Sequence, residues 1–271
     1  MAKVYEELAY ATYVHEYSSG HFEKAKKHAE GALVIMKDLL PTNHLLVASA
    51  QRVLALILEE IAIDLNVRDL SKSMLNQAEE LHLSAVNLST QAFGETNVQT
   101  AKHYGNLGRL YQTMERYNEA EKMHLKAIGI KETLLGGDDY EVALSIGHLA
   151  SLYNYDLDQF EKAEELYLRS IRIALRLFGP GYSGLEYDYR GLIRVYEETE
   201  DWNNVYKYIY LLRDWKELKR ARENQESEEI LGALNKSARS ISSILSMIDI
   251  NENVTNQNDA DLSHNNLSAI K

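Results

Sequence analysis

The sequence predicts an all-α solenoid of antiparallel helix pairs, and three observations carry that prediction. The first is a period. The stretch from Ala101 to Gly136 is echoed further on, so that Gly105 and Gly147 stand 42 residues apart, as do Tyr111 and Tyr153. Tyr117 and Phe160, like Ala120 and Ala163, stand 43 apart. A fixed period of this length marks a helical repeat array, and the drift of one residue falls between the halves of the unit, where a turn can absorb it. The second observation is that the 271 residues include only two prolines, so few backbone N–H donors are missing and few helices are broken. The third is the recurrence of apolar residues at helical spacing almost throughout.

Taken in order, a first helix is expected from Val4 to about Tyr17, with no capping residue ahead of it. The turn Ser18-Ser19-Gly20 leads to a second helix whose buried face is Phe22, Ala25, Ala29, Ala32 and Leu33; Pro41 closes it. A long helix follows, about His44 to Leu65, then an insertion at Asn66 to Ser73, and its partner from Met74 to Phe93. Further helices are expected at about Asn97–Met114, Tyr117–Leu135, Asp139–Asn154, Gln159–Phe178, Ser183–Glu198 and Asn203–Lys219. The array therefore spans residues 4–219 as five pairs: 4–40, 44–93, 97–135, 139–178 and 183–219. Residues 220–250 are read as a last amphipathic helix or a linker. Residues 251–271, rich in Asn and without an aromatic, are expected to be a disordered tail.

Composition narrows the function classes. There is no Cys, hence no disulfide framework or thiolate metal site, and neither a secretory signal nor a long apolar run appears. The expectation is a cytoplasmic protein without direct membrane insertion. A formal charge of -12 repels phosphate backbones and argues against nucleic-acid binding. A basic partner is better matched.

The repeated positions have mechanical reasons. Small residues (Ala55, Gly108, Ala150) recur where the first helix of a pair approaches the second, and Ala25, Ala78, Ala120 and Ala163 answer from the second. Tyr111, Tyr153 and Tyr196 can fill the wedge between pairs, while Phe22, Tyr117, Phe160 and Trp202 open the second helices. This alternation resembles the tetratricopeptide repeat, in a longer form of about 42 residues like that of kinesin light chains. Gly94, Gly136 and Gly179 suit helix-ending left-handed turns.

Catalytic and metal motifs are missing, so no enzyme activity, metal or cofactor is expected. His15-Glu16 and His21 evoke a zinc-protease pattern, but these histidines lie six apart across a glycine turn rather than at i and i+4. Gly179-Pro180-Gly181 lacks the strand before it and the Lys after it that a phosphate loop needs. Adjacent carboxylates such as Glu59-Glu60 and Glu197-Glu198 point about 100° apart on a helix and do not converge on one atom. His82 and His124 occupy equivalent packing positions, filled by Tyr167 and Ile209 in later pairs.

What remains is a surface. In such an array the first helix of each pair lines a concave groove, and the register assigns Arg52, Leu56, Glu59 and Glu60 to it from the second pair. The third pair contributes Lys102, Asn106, Arg109 and Gln112; the fourth, His148, Ser151, Asn154 and Tyr155; the fifth, Tyr187, Arg190, Arg194 and Glu197. The reading is a peptide-binding groove whose amides meet an extended backbone and whose glutamates pair with a basic side chain. Arg109, Arg190 or Arg194 would hold a carboxylate through charge-assisted hydrogen bonds.

The segments YATYVHEYSSG, NVQTAKHYGNLGRLYQ, DYEVALSIGHLASLYNYD and LFGPGYSGLEYDYRGLI resemble the amyloid protein-binding protein 2 family in its C-terminal half, over roughly Tyr5 to Trp215. The resemblance implies a substrate receptor of a cullin-2 RING ubiquitin ligase, docked through elongin B and elongin C, that recognises degrons near substrate C-termini containing an Arg and a Gly. It also implies links to the amyloid precursor protein tail, to microtubule-associated transport, and to cytoplasmic, nuclear or membrane-associated localisation. A Gly in the ligand would permit close backbone approach. The family's longer N-terminal half, with its adaptor-binding segment, has no counterpart here. The expectation is a fragment, short isoform or incomplete gene model that reads a peptide without recruiting the ligase, and whose uncapped first helix favours a homo-dimer.

Overall fold

In a computed structural model, which describes residues 2–16, 22–41, 43–65 and 68–223, every element is a helix. The helices are α1 (Ala2–Glu16), α2 (Glu23–Leu39), α3 (Leu45–Asp64), α4 (Arg68–Phe93), α5 (Val98–Thr113), α6 (Tyr117–Leu135), α7 (Tyr140–Tyr155), α8 (Phe160–Phe178), α9 (Leu185–Glu198) and α10 (Trp202–Glu223). The expected insertion is helical from Arg68 onward, so α4 reaches 26 residues; its DLSKSMLNQAEE segment has no Gly or Pro to stop it. Helix α10 runs on to Glu223. The expected tail lies outside the described residues.

Two compact units divide the chain: one ends at Asp158 and holds α1 to α7, the other begins at Gln159 and holds α8 to α10. The boundary falls inside the fourth expected pair. Within the first unit each helix packs on its neighbours in sequence; within the second, α9 packs on both α8 and α10.

Local chemistry sets the ends of the helices. The side chains of His44, Asn97 and Asp139 accept backbone N–H groups from Leu46, Gln99 and Glu141 at 3.1, 2.8 and 2.8 Å, capping α3, α5 and α7. The turns inside the pairs place Glu115, Asp158 and Glu200 at φ 60°, 49° and 58°, 43 and 42 residues apart. The turn before α8 has four residues where that before α6 has three, so the drift in period is taken up where the sequence suggests. Gly136 and Gly179 do end α6 and α8 at positive φ, but with ψ of 161° and -177°. That is the extended glycine region rather than the left-handed helical one.

Small residues make the close contacts. Ala25, Ala55, Ala78, Ala120, Ala150 and Ala163 are all fully buried. The stacking aromatics, also buried, are held by a hydrogen bond that recurs. The Tyr153 hydroxyl donates to Glu121 at 2.6 Å and the Tyr196 hydroxyl to Glu164 at 2.7 Å. Tyr111 and Glu79 form the same pairing, and each Tyr lies 32 residues after its Glu. Burial raises all three phenols above their ordinary range, followed by the carboxylate at Tyr111 and Tyr153 and by Tyr208 and then the carboxylate at Tyr196. The sequence signal is present but easily passed over: each of these glutamates follows the small residue Ala78, Ala120 or Ala163.

One expected equivalence fails. Ile209 is exposed, and Tyr208, one residue earlier, is sealed in the core. Its ring lies 5.6 Å from that of Tyr196 and 6.0 Å from that of Tyr189. Val205 and Tyr208 are three residues apart where Ala163 and Tyr167 are four, so α10 presents a face rotated by one residue.

In the second unit, Asp188 is buried between α9 and α8, where the Ser170 hydroxyl donates to it at 2.8 Å. Burial pushes its carboxyl up to about 7 despite that bond. A group raised on folding contributes most below its unfolded value, and that contribution is lost as the pH rises through 7. Asp188→Asn is therefore expected to stabilise the protein at pH 8 by about 1–2 kcal/mol. A full three-unit shift is worth about 4 kcal/mol, and an amide N–H left without an acceptor offsets part of it. Urea unfolding at pH 8 and pH 5 checks this; a gain of equal size at both would show that the charge is irrelevant.

Candidate functional site

A cleft of about 750 Å³ opens on the first unit, lined from α1, α3, α4, α5, α6 and α7. Four of the expected groove residues meet there: Arg52, Lys102, Asn106 and His148. The rim adds apolar surface from Tyr10, Leu45, Phe93, Tyr140 and Leu144. Helical register explains the grouping, since Lys102 and Asn106 are one turn apart on α5 and share a face. His103, Ser49, Lys131 and Glu141 complete the polar part; sequence reasoning missed them because a register drawn from one small residue per helix ignores the flanks.

The cleft is positively charged, against expectation. Arg52, Lys102 and Lys131 face one carboxylate, Glu141, and that carboxylate is already shared. It lies 2.7 Å from Lys102 and 3.0 Å from Lys131. Burial pushes the Glu141 carboxyl up, but the two lysine hydrogen bonds outweigh it and hold it below the usual range. Lys131 is buried, also donates to the Glu141 carbonyl and to Ser145 at 3.2 and 2.8 Å, and is lowered mainly by its burial. Ser49 donates to Glu6. Arg52 has no ion pair among the described residues. His103 has its Nδ1 buried and unpartnered, and its imidazole is pushed down to about 4 by burial and then by Arg52.

The acidic end of the expected groove is committed elsewhere. Glu59 is 2% exposed; Thr113 donates to it at 2.9 Å, and Arg109 approaches Glu59 at 3.7 Å and Glu60 at 3.9 Å. Burial raises the Glu59 carboxyl, with Arg109 and Thr113 pulling it down. Tyr13 donates to Glu60 at 3.2 Å. Arg109 is thus the internal counter-ion of these glutamates and not a free receiver of carboxylate, and Glu59 is closed to any ligand. Asn154 is likewise a correction: it is fully buried, because the α7 register turns it into the core. Gln112 donates to Asp156 at 2.6 Å. Ser151 is half-buried and Tyr155 is exposed, and neither lines the cleft. His148 does; its ring lies 6.2 Å from that of His124, and burial, Arg109 and His124 hold it down to about 3. In the second unit Tyr187 and Arg190 are exposed, Arg190 lies 2.7 Å from Glu186, and Arg194 lies 3.6 Å from Glu198.

Arg109→Ala would leave Glu59 buried with Thr113 alone. An expected loss of about 1–3 kcal/mol in a thermal melt, partly recovered by adding Glu59→Gln, would show the pair to be structural. The upper end of the range is discounted because Arg109 is one-third exposed and its contacts are long.

Among the described residues no group of side chains could hold a metal ion, and no helix is long and apolar enough to cross a membrane. Repeated helix pairs and a polar cleft on the first unit define a tetratricopeptide-repeat protein of the interaction class. The tetratricopeptide repeat family matches residues 72–133 and again 142–181. The particular relative is amyloid protein-binding protein 2: the chain is 58% identical to that of Mus musculus over 219 residues, 81% of this chain and 37% of the mouse protein. It is 55% identical to the Rattus norvegicus protein over 255 residues, 94% of this chain and 43% of that one. The chain thus spans less than half the length of these relatives. Among solved structures, a Podosopora anserina protein described as a kinesin light chain with nearly identical tetratricopeptide-like repeats matches 83% of this chain and 97% of its own at TM-score 0.58 and 18% identity. BtubC from P. vanneervenii matches 83% of this chain and 91% of its own at TM-score 0.59 and 19% identity. These two share the fold.

Proposed function

We propose that the chain is the peptide-reading part of a cullin-2 RING ubiquitin ligase substrate receptor, selecting proteins by a segment near their C-termini that contains an Arg and a Gly. The observation that carries the reading is the cleft: a half-apolar site whose Arg52 has no ion pair among the described residues, in a chain that is 58% identical to amyloid protein-binding protein 2. Elongin B, elongin C and cullin-2 would be engaged by the portion of such a receptor outside the matched region. On this reading the chain does no chemistry and works in the cytoplasm or nucleus.

Binding of an N-terminally labelled Arg- and Gly-containing C-terminal peptide, read by fluorescence anisotropy, tests it. Filling the cleft with Asn106→Trp is expected to weaken binding at least tenfold, whereas an unchanged affinity would remove the cleft from the proposal.

A second reading starts from the amyloid-protein binding in the relatives' name and adds to it a role as a transport adaptor that holds the amyloid precursor protein tail. Proximity labelling in cells separates the two. Cullin-2 and elongins among the neighbours support the ligase; motor subunits without them support transport. Self-association would use the α1 face that exposes Val4, Leu8 and Val14, and Leu8→Glu should then return a sedimenting dimer to monomer.

A further inference from the structure

We infer that the outer face of α10 is a docking surface and that its occupant is this chain's own next segment, residues 228–248, folded back on α10 as an antiparallel helix. Docked in this way, the segment closes that face to a helix from any other chain.

Helix α10 buries Val205, Tyr208, Leu211 and Trp215 on one side, and within the second unit it packs on α9. Its other side carries Trp202, Tyr206, Ile209 and Tyr210, which are between 43% and 60% exposed. Residues at i, i+4, i+7 and i+8 share one face of a helix. The Arg213 guanidinium lies 5.0 Å from the centre of the Tyr210 ring and extends the stripe by a turn. Single exposed apolar residues are ordinary on a protein surface, but a continuous stripe of them marks a contact.

Register identifies the element that belongs there. On α8, Glu164 accepts the hydroxyl of Tyr196 from the helix that follows; on α6, Glu121 accepts that of Tyr153 in the same way. Tyr206 stands 42 residues after Glu164 and directly follows the buried Val205, as Glu164 follows the buried Ala163. The exposed stripe therefore starts from the position that earlier second helices turn towards the next helix. With tyrosine in place of glutamate, the helix it suits has an apolar seam.

The sequence after α10 supplies one. Leu231, Leu234, Ala238, Ile241, Leu245 and Ile248 recur at alternating steps of three and four, the spacing of a seam that lies against another helix. Residues 228–248 lie outside the described residues; as a helix they would span about 30 Å, close to the length of the 22-residue α10. Charge sets the direction. Lys216, Lys219, Arg220 and Arg222 crowd the end of α10, and Glu226, Glu228 and Glu229 open the segment. A fold-back brings these acids beside those bases, and each cluster sits at the helix end that its charge favours. Antiparallel pairing from a turn at 224–227 then sets Arg213 beside Ala238 and Tyr206 beside Leu245.

The whole chain has no cysteine, so paired replacements report the contact directly. Under mild oxidation of a dilute sample, Arg213→Cys/Ala238→Cys is expected to close an intramolecular disulfide at least about tenfold faster than Arg213→Cys/Ser240→Cys, because docking raises the effective concentration of one thiol and turns the other away. Tyr206→Cys/Leu245→Cys should close as readily as the first pair, which guards against a loss specific to Arg213. Equal rates for the 238 and 240 pairs overturn the docking. Disulfide-linked dimers in place of closed monomers give the face to a second copy and overturn the choice of occupant. In the chain without cysteines, Ile241→Asp should shift Trp202 emission to longer wavelength and raise its quenching by acrylamide, read as the difference from a matched Trp202→Phe chain. Trp202 emission that ignores Ile241→Asp overturns the apolar seam.

Discussion

Lowering the pH from 7 to 5 is expected to destabilise the first unit by on the order of 6 kcal/mol, because three buried histidines cannot accept a proton while folded. His82, His103 and His124 are pushed down from 6.5 to about 3, 4 and 4, in each case chiefly by burial and then by neighbouring positive groups. The unfolded chain takes up these protons as the pH falls through 6.5; the folded chain does not until the pH nears 4 or 3. Stability is therefore intact above 6.5 and falls progressively below it. Each histidine costs about 2 kcal/mol by pH 5, from 1.5 pH units at 1.36 kcal/mol each. That sum compares with the whole stability of an ordinary domain. Thermal melts across this range should steepen in their pH dependence, and His82→Phe should remove about a third of the slope. His82 has both ring nitrogens buried without a hydrogen-bond partner, so the same replacement should also raise stability at pH 7. An acid loss unchanged after these three histidines and His148, which burial also holds down to about 3, are replaced would assign it to carboxylates instead.

The second large effect is expected from a single methyl group. A Cβ added at Gly191 would lie 2.3 Å from the Tyr167 ring, and α9 cannot step back because Leu192, Val195 and Tyr196 on the same helix are buried. Gly191→Ala should cost about 3 kcal/mol or more, at or beyond the top of the usual range for overpacking. Tyr167→His in the same chain should recover part of that loss, since the shorter ring withdraws from the new methyl. Gly108 faces His124 with a closest approach of 2.9 Å for an added Cβ, so Gly108→Ala should follow the same rule at smaller cost. Denaturant midpoints for Gly191→Ala, Gly108→Ala, Tyr167→His and the Gly191→Ala/Tyr167→His double variant check the order; additivity of the double variant would show that ring and methyl never meet.

The periodicity made the fold legible. The fully buried alanines stand where the 42-residue register puts them, because a repeat repeats its packing, whereas of the aromatic openings of the second helices Phe22 is buried and Trp202 is exposed. The start of α4 was not legible: Asn66 to Ser73 has no counterpart in other units, and polarity alone resembles a loop. Rotation of α10 was hidden for a related reason, since Tyr208 and Ile209 are both plausible core residues and only the facing Tyr196 and Tyr189 rings choose between them. For the site, Arg52, Lys102, Asn106 and His148 could be placed from register. What register cannot supply is pairing. Glu59 and Arg109 come from the first helices of neighbouring pairs, α3 and α5, and the counting that put both on one face gave no hint that they neutralise each other. The net charge misled in the same way, for an acidic average concealed a cleft whose own balance is positive.

The recurrent Tyr-to-Glu bond has a consequence for how the array comes apart. Because each Tyr reaches back 32 residues to the preceding pair, the bond couples one repeat to the next rather than the two helices of a pair. In a linear array, the strength of such coupling decides whether neighbours unfold together or in sequence. Tyr153→Phe would leave the aromatic wedge and remove the joint, so that unfolding broadens, with a shallower denaturant dependence, before the midpoint moves far.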